Sequence, residues 1–110
     1  MKVPNADKAV VDIRKLTDYC LSHEHPRGKH KARVFLSVLG MTCTHATELR
    51  DCLLQKVKSE ECVIGALDEY GTRYVVDFTY VRGDREAMIR SAWIIKAGES
   101  MPRLTSCFVL

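Results

Sequence analysis

The chain is poor in the features that mark chemically specialised proteins. It has three prolines and one tryptophan in 110 residues, and aromatic residues make up 7%. Its apolar runs are only a few residues long, Ala92–Ile95 being among the longest, whereas a helix that crosses a bilayer takes about 20. No transmembrane helix is expected. The start, MKVPNADKAVV, has neither an apolar segment of signal-peptide length nor a small-residue cleavage pattern, so the expected location is cytoplasmic. Nor is there a P-loop, a Gly-x-Gly-x-x-Gly or a Gly-x-Ser-x-Gly, and no nucleotide cofactor is implied. The five cysteines (Cys20, Cys43, Cys52, Cys62, Cys107) are odd in number and contain no Cys-x-x-Cys, which argues against a disulfide framework. They read mostly as reduced, buried, small residues. Cys20, His23 and His25 lie close together and Cys43 pairs with His45, but these spacings match no usual zinc pattern, so no metal is expected.

What is present is the composition of a globular chain, 46% apolar and 28% charged. No repeat or linker divides it, so residues 1–110 read as one domain with a helical part over about 8–58 and a sheet part over about 61–110. In the first part apolar residues recur at helical spacing: Ile13, Leu16 and Cys20; Val34, Phe35, Val38 and Leu39; Ala46, Leu49, Leu53 and Val57. Gly40 is placed to end the second helix, and Thr44 with Glu48 to cap the third. The period then becomes two, with Tyr74, Val76, Phe78 and Tyr80 on one face. Arg82-Gly83-Asp84 and Ala97-Gly98-Glu99 supply turns around a strand over Met88–Lys96, with further strands over Cys62–Leu67 and Arg103–Val109. The expected fold is α+β: about three N-terminal helices packed on one face of a four-stranded antiparallel sheet. Trp93, in register with Ile89 and Ile95, reads as core. Tyr19, Tyr70, Tyr74 and Tyr80 could stack bases, though most should pack the sheet.

The net charge is only +3, yet it is unevenly placed. Between Arg14 and Arg33 six basic residues (Arg14, Lys15, Arg27, Lys29, Lys31, Arg33) face two acidic ones (Asp18, Glu24), an excess of four, so the remainder carries a net of minus one. Three of the four histidines, His23, His25 and His30, fall in the same window. Such a patch suits a polyanion; charge alone fits a solvated helix face better. Pro26 and Gly28 add an ordered turn ahead of a helix, where free backbone N–H groups favour phosphate. Cations in that first turn oppose the helix dipole by about 0.3–1 kcal/mol each, a cost that a bound anion relieves. A second candidate is PRLTSCFVL, in which strand alternation sets Arg103, Thr105 and Cys107 on one face. Arg103 would offer a bidentate fork for phosphate and Thr105 a neighbouring hydroxyl; the same stripe is also an ordinary solvent-facing surface.

The strings NADKAVVDIRKLTDYCL, HPRGKHKARVF, YGTRYVVDF, SAWIIKAGE and PRLTSCFVL resemble a bacterial family of small uncharacterised domains. That family occurs as stand-alone chains, notably in cyanobacteria, and as C-terminal tips of adhesin-like toxins. The order of elements also resembles the barnase, EndoU, colicin and RelE group of ribonuclease folds, an analogy at the level of fold. The resemblance implies a small metal-independent endoribonuclease of toxin or toxin-like type, in which the 2′-hydroxyl attacks its own phosphodiester to leave a 2′,3′-cyclic phosphate. His30, Lys31, Arg103 and Thr105 would be the catalytic set, with His30 as acid or base, the cations as phosphate clamp and Thr105 as orienting hydroxyl; Lys15, Arg27, Lys29 and Arg33 would bind RNA phosphates. No cofactor is implied. The implied partners are RNA and a cognate antitoxin or immunity protein. The alternative is a non-catalytic RNA- or protein-binding module of the same fold, part of a toxin–antitoxin pair. An immunity-like protein facing a basic nuclease would be expected to be acidic.

Overall fold

The structure, a computed structural model, describes residues 1–110. Its two α-helices, α1 (Gly28–Leu39) and α2 (Ala46–Ser59), precede four strands, β1 (Val63–Asp68), β2 (Gly71–Arg82), β3 (Arg85–Lys96) and β4 (Pro102–Val109). The strands form an antiparallel sheet in the order β1-β2-β3-β4. The α+β class and the four strands agree with the sequence pattern. No helix is long and apolar enough to cross a membrane.

The first expected helix is instead a five-residue π-helical segment, Leu16–Cys20. Its cause is visible in burial: Leu21 N donates to Leu16 O at 2.8 Å, and this wider turn lets Leu16, Cys20 and Leu21 all be fully buried. An α-helical turn would swing one of them toward water. Helix α1 buries Ala32, Phe35 and Leu39, and α2 buries Ala46, Leu49, Leu53 and Val57, both at the expected spacing. These apart from Ala32, together with Tyr74, Val76, Phe78, Ile89, Trp93, Leu104 and Cys107 from alternate strand positions, make one core. Each large apolar side chain there contributes about 1.5–3 kcal/mol. Trp93 is core as expected, and its indole N–H donates to Ser91 Oγ at 2.9 Å, which donates to Val76 O at 2.8 Å.

The junction between α1 and α2 departs from the expected capping. Gly40 does end α1 in the left-handed region, at φ 67°. The cap belongs to Thr42, not Thr44: its Oγ1 accepts from Thr44 N, while His45 Nδ1 accepts from Thr42 N at 2.9 Å. Glu48 is thereby free for a longer reach. It accepts from the Tyr80 hydroxyl at 2.7 Å and from Arg82 Nε at 2.8 Å, and these two bonds hold its carboxyl below the usual range. Burial and the Glu48 carboxylate together push the Tyr80 phenol up. Arg82 also donates to Leu39 O at 3.1 Å, so the β2–β3 hairpin is tied to the C-terminal carbonyls of α1.

Strand β4 carries the other correction. Trp93 pairs with Leu104 but Ala92 pairs with Ser106, which leaves Thr105 as the extra residue of a β-bulge. The period-two reading, which put Arg103, Thr105 and Cys107 on one face and Leu104 on the other, breaks there. Leu104 and Cys107 are both buried although three residues apart.

Candidate functional site

The largest concavity, about 690 Å³, opens between the π-helical segment and the β4 bulge. Asp12, Arg14, Lys15, Asp18 and Tyr19 form one wall, His25 and Arg27 the rim, and Thr105 and Ser106 the other wall. The bulge matters because it places two consecutive hydroxyl residues on the same concave surface. Thr105 Oγ1 donates to Ala92 O at 3.0 Å, whereas Ser106 Oγ is buried and has no hydrogen-bond partner in the chain.

Gly28 fixes how the rim meets the wall. A Cβ there would lie 2.0 Å from Tyr19 O, so only glycine lets α1 start this close to the π-helical segment. Gly28 thus serves by close approach and not by a positive φ, which is found at Gly40, Gly71, Gly83 and Gly98. The expected phosphate-binding helix terminus is corrected as well. His25 Nδ1 accepts from Arg27 N and Gly28 N, both at 3.0 Å, and His25 O accepts from Lys29 N at 3.0 Å. The first N–H groups are thus occupied by the chain itself. An Nδ1 that accepts two bonds carries no proton, so the imidazole proton is on Nε2.

Two of the cleft's cations differ sharply in availability from the third. Arg14 binds Asp12 through Nε at 3.1 Å and Nη2 at 2.7 Å, with its backbone N adding a bond at 3.0 Å. These bonds hold the Asp12 carboxyl at about 2. Lys15 and Arg27 make no ion pair. Next in the chain to Tyr19 and Ser106 are Cys20 and Cys107: Cys107 N donates to Cys20 Sγ at 3.4 Å, and hydrogen bonding from Cys107 pulls the buried Cys20 thiol down to about 7.

The residues singled out from sequence separate into three groups. Lys15, Arg27 and Thr105 line the cleft. Arg103 lines an adjoining recess of about 190 Å³ that shares Asp12, Lys15 and Thr105 with it, and its guanidinium is held by Glu99 at 3.1 and 3.4 Å. His30 and Lys31 line a different groove of about 260 Å³ with Val34, Phe108 and Val109. Lys29 and Arg33 line none of the three. One side chain bridges cleft and groove: Lys31 Nζ donates to the Tyr19 hydroxyl at 3.0 Å and lies 4.9 Å from the Tyr19 ring centre and 5.8 Å from that of Phe108. The His25 ring meets the Tyr19 ring edge-on at 4.8 Å.

Sequence reasoning missed the cleft roles of Tyr19 and His25. The available signal for His25 was its place three residues before a helix-starting glycine, which suits a side-chain cap; nothing in the spacing marked Tyr19, because the π-turn that aims it was not expected.

Among solved structures, the chain is similar in fold to a chain of a contact-dependent growth inhibition toxin–immunity protein complex from Klebsiella pneumoniae 342. The TM-score is 0.69 at 18% identity, covering 92% of this chain and 99% of the other. A search of curated proteins finds no match. A family model described as "Domain of unknown function (DUF6883)" matches residues 2–110, and the chain therefore belongs to that family.

Proposed function

We propose that the chain is a small metal-independent endoribonuclease of toxin or toxin-like type, acting in the cytoplasm and cleaving RNA by 2′-hydroxyl attack to a 2′,3′-cyclic phosphate. The observation that carries this reading is the cleft, where the unpaired cations Lys15 and Arg27 share one concave surface with Thr105 and Ser106. Cations are what a phosphodiester needs, first to bind and then to bear the charge of a phosphorane. The fold likeness to a chain of a toxin–immunity complex supports a place in such a pair, with a cognate partner, and the basic cleft is what favours the toxin side of it. In this reading the helices cover one face of the sheet, as in the ribonuclease folds that the sequence resembles. Lys15 and Arg27 hold phosphates in the cleft, Arg103 extends the track along the recess, and Lys29 and Arg33 steer RNA from outside it. Thr105 orients the phosphates held in the cleft. A strand leaving the cleft past Tyr19 and Phe108 presents its scissile bond to His30, which takes the 2′-hydroxyl proton, and Lys31 stabilises the charge that develops on the leaving oxygen.

The test is incubation of purified chain with total RNA at pH 7 in EDTA, with His30→Ala, Arg27→Ala and Arg103→Ala in parallel. Cleavage that ends in cyclic phosphate and is lost in the variants is the expected result; intact RNA in every lane with folded protein overturns it. A second reading, a non-catalytic RNA- or protein-binding module, is favoured by the carboxylates that neutralise Arg14 and Arg103. It predicts salt-sensitive binding without product, each phosphate-contacting cation removed lowering the salt slope by about 1.

A further inference from the structure

We infer that Tyr19 is the proton donor to the leaving 5′-oxygen and that Lys31 recharges it; the inference rests on the ribonuclease reading above. Tyr19 lines the cleft, and its hydroxyl oxygen accepts from Lys31 Nζ at 3.0 Å. An ammonium only donates, so the phenol is the acceptor in that bond and its own proton is left unused. No acceptor elsewhere in the chain takes it. The proton is therefore available where the cleft meets the His30 groove, beside the phosphates that two unpaired cations would hold.

The ring that carries this proton is held in place from several sides. His25 meets it edge-on at 4.8 Å, and His25 is itself fixed, because its Nδ1 accepts from Arg27 N and Gly28 N. The Tyr19 main chain is set by the close approach of Gly28. Lys31 is half-buried and lines the His30 groove, so solvent can return a proton to it. His25 and Lys31 are positioning residues in this arrangement, and Tyr19 is the catalytic one.

In the step itself the 2′-oxygen forms its bond to phosphorus as its proton passes to His30. The bond from phosphorus to the 5′-oxygen breaks, and that oxygen takes the Tyr19 proton to become the 5′-hydroxyl. The phenolate takes a proton from the Lys31 ammonium, and exchange with water moves the proton from His30 back to Lys31. No net proton, electron or co-reactant is consumed.

The experiment compares two synthetic dinucleotide substrates, one with the ordinary 5′-oxygen and one with a 5′-bridging sulfur, which leaves as a thiolate and needs no proton because thiols are far stronger acids than alcohols. Tyr19→Phe keeps the ring and removes the hydroxyl with its proton. It should lose about 10²–10⁴-fold in kcat on the oxygen substrate and stay near the wild-type rate on the sulfur one. Lys31→Met should follow the same pattern and add no further loss to Tyr19→Phe, whereas His30→Ala should be slow on both substrates. Equal slowing of Tyr19→Phe on both, with RNA binding and thermal unfolding unchanged, or no slowing on either, overturns the inference while leaving the ribonuclease reading in place. A folded wild-type chain inert on both substrates overturns that reading and the inference with it.

Discussion

The two edges of the sheet are built differently. Along β1 all six residues are exposed, Val63 at 70% and Leu67 at 76%, and the strand is bent by an irregularity between Ile64 and Leu67. Along β4 the outer backbone groups are engaged: Val10 N donates to Pro102 O, Leu104 N donates to Val10 O, and Cys107 N donates to Cys20 Sγ. A bare edge is a row of unsatisfied donors and acceptors, made tolerable by irregularity and shortness. A covered edge needs a covering segment, and here that segment brings Lys15, Asp18 and Tyr19 against Thr105 and Ser106. The cleft exists because one edge is covered and its strand is bulged, so the chemistry collects there and not at β1.

The contrast can be broken most directly with leucines. Leu16→Ala, in the covering segment, should cost about 2–5 kcal/mol because Leu16 is wholly buried, and Leu67→Ala on β1 should stay within about 0.5 kcal/mol; urea midpoints measure both. Equal costs would mean that β1 is covered in solution. Glycines sharpen the same point. Gly28→Ala forces a Cβ into Tyr19 O and should cost about 1–3 kcal/mol, with a matching loss of any cleft activity. Gly65→Ala on β1 meets Arg73 at an ordinary 3.5 Å and should be neutral or stabilising by about 0.4–1 kcal/mol.

A smaller effect is expected at the cap. His25→Ala leaves Arg27 N and Gly28 N without their acceptor and should cost about 0.5–2 kcal/mol, as for other lost N-caps; amide exchange at the first turn of α1 should quicken while that of α2 stays unchanged. The smallest is electrostatic. Asp12 should titrate near 2 by NMR, and in Arg14→Ala its midpoint should rise toward the ordinary carboxylate range. Because its folded value is depressed, whatever stability the pair adds is present above the unfolded value near 3.9 and is lost as pH falls through about 2. A midpoint unchanged by Arg14→Ala would show that Arg14 is free for a ligand.

Most of the fold was legible because its signals are local. The spacing of Phe35 and Leu39, of Leu49, Leu53 and Val57, and of Tyr74, Val76 and Phe78 reports which face each element buries. The site was legible in part. The basic window around the loop was visible in the order of residues, and Lys15, Arg27 and Thr105 do share the cleft. The separation of His30 from it was not visible, because one turn of a helix decides which side a residue takes. Glu48 shows the same limit: its sequence neighbours suggest a cap, while its real partners are Tyr80 and Arg82 on a distant hairpin.

By itself the sequence determined the α+β class, the four strands of an antiparallel sheet and the local excess of positive charge, since hydrophobic period, turn residues and charge counts are properties of short segments. Only the tertiary structure decided the π-turn at Leu16–Cys20, the bulge at Thr105 and the engagement of the α1 terminus by His25. Each of these arises when buried groups from segments far apart in sequence must fill one core and satisfy one another's hydrogen bonds, and that competition is settled only in the packed chain.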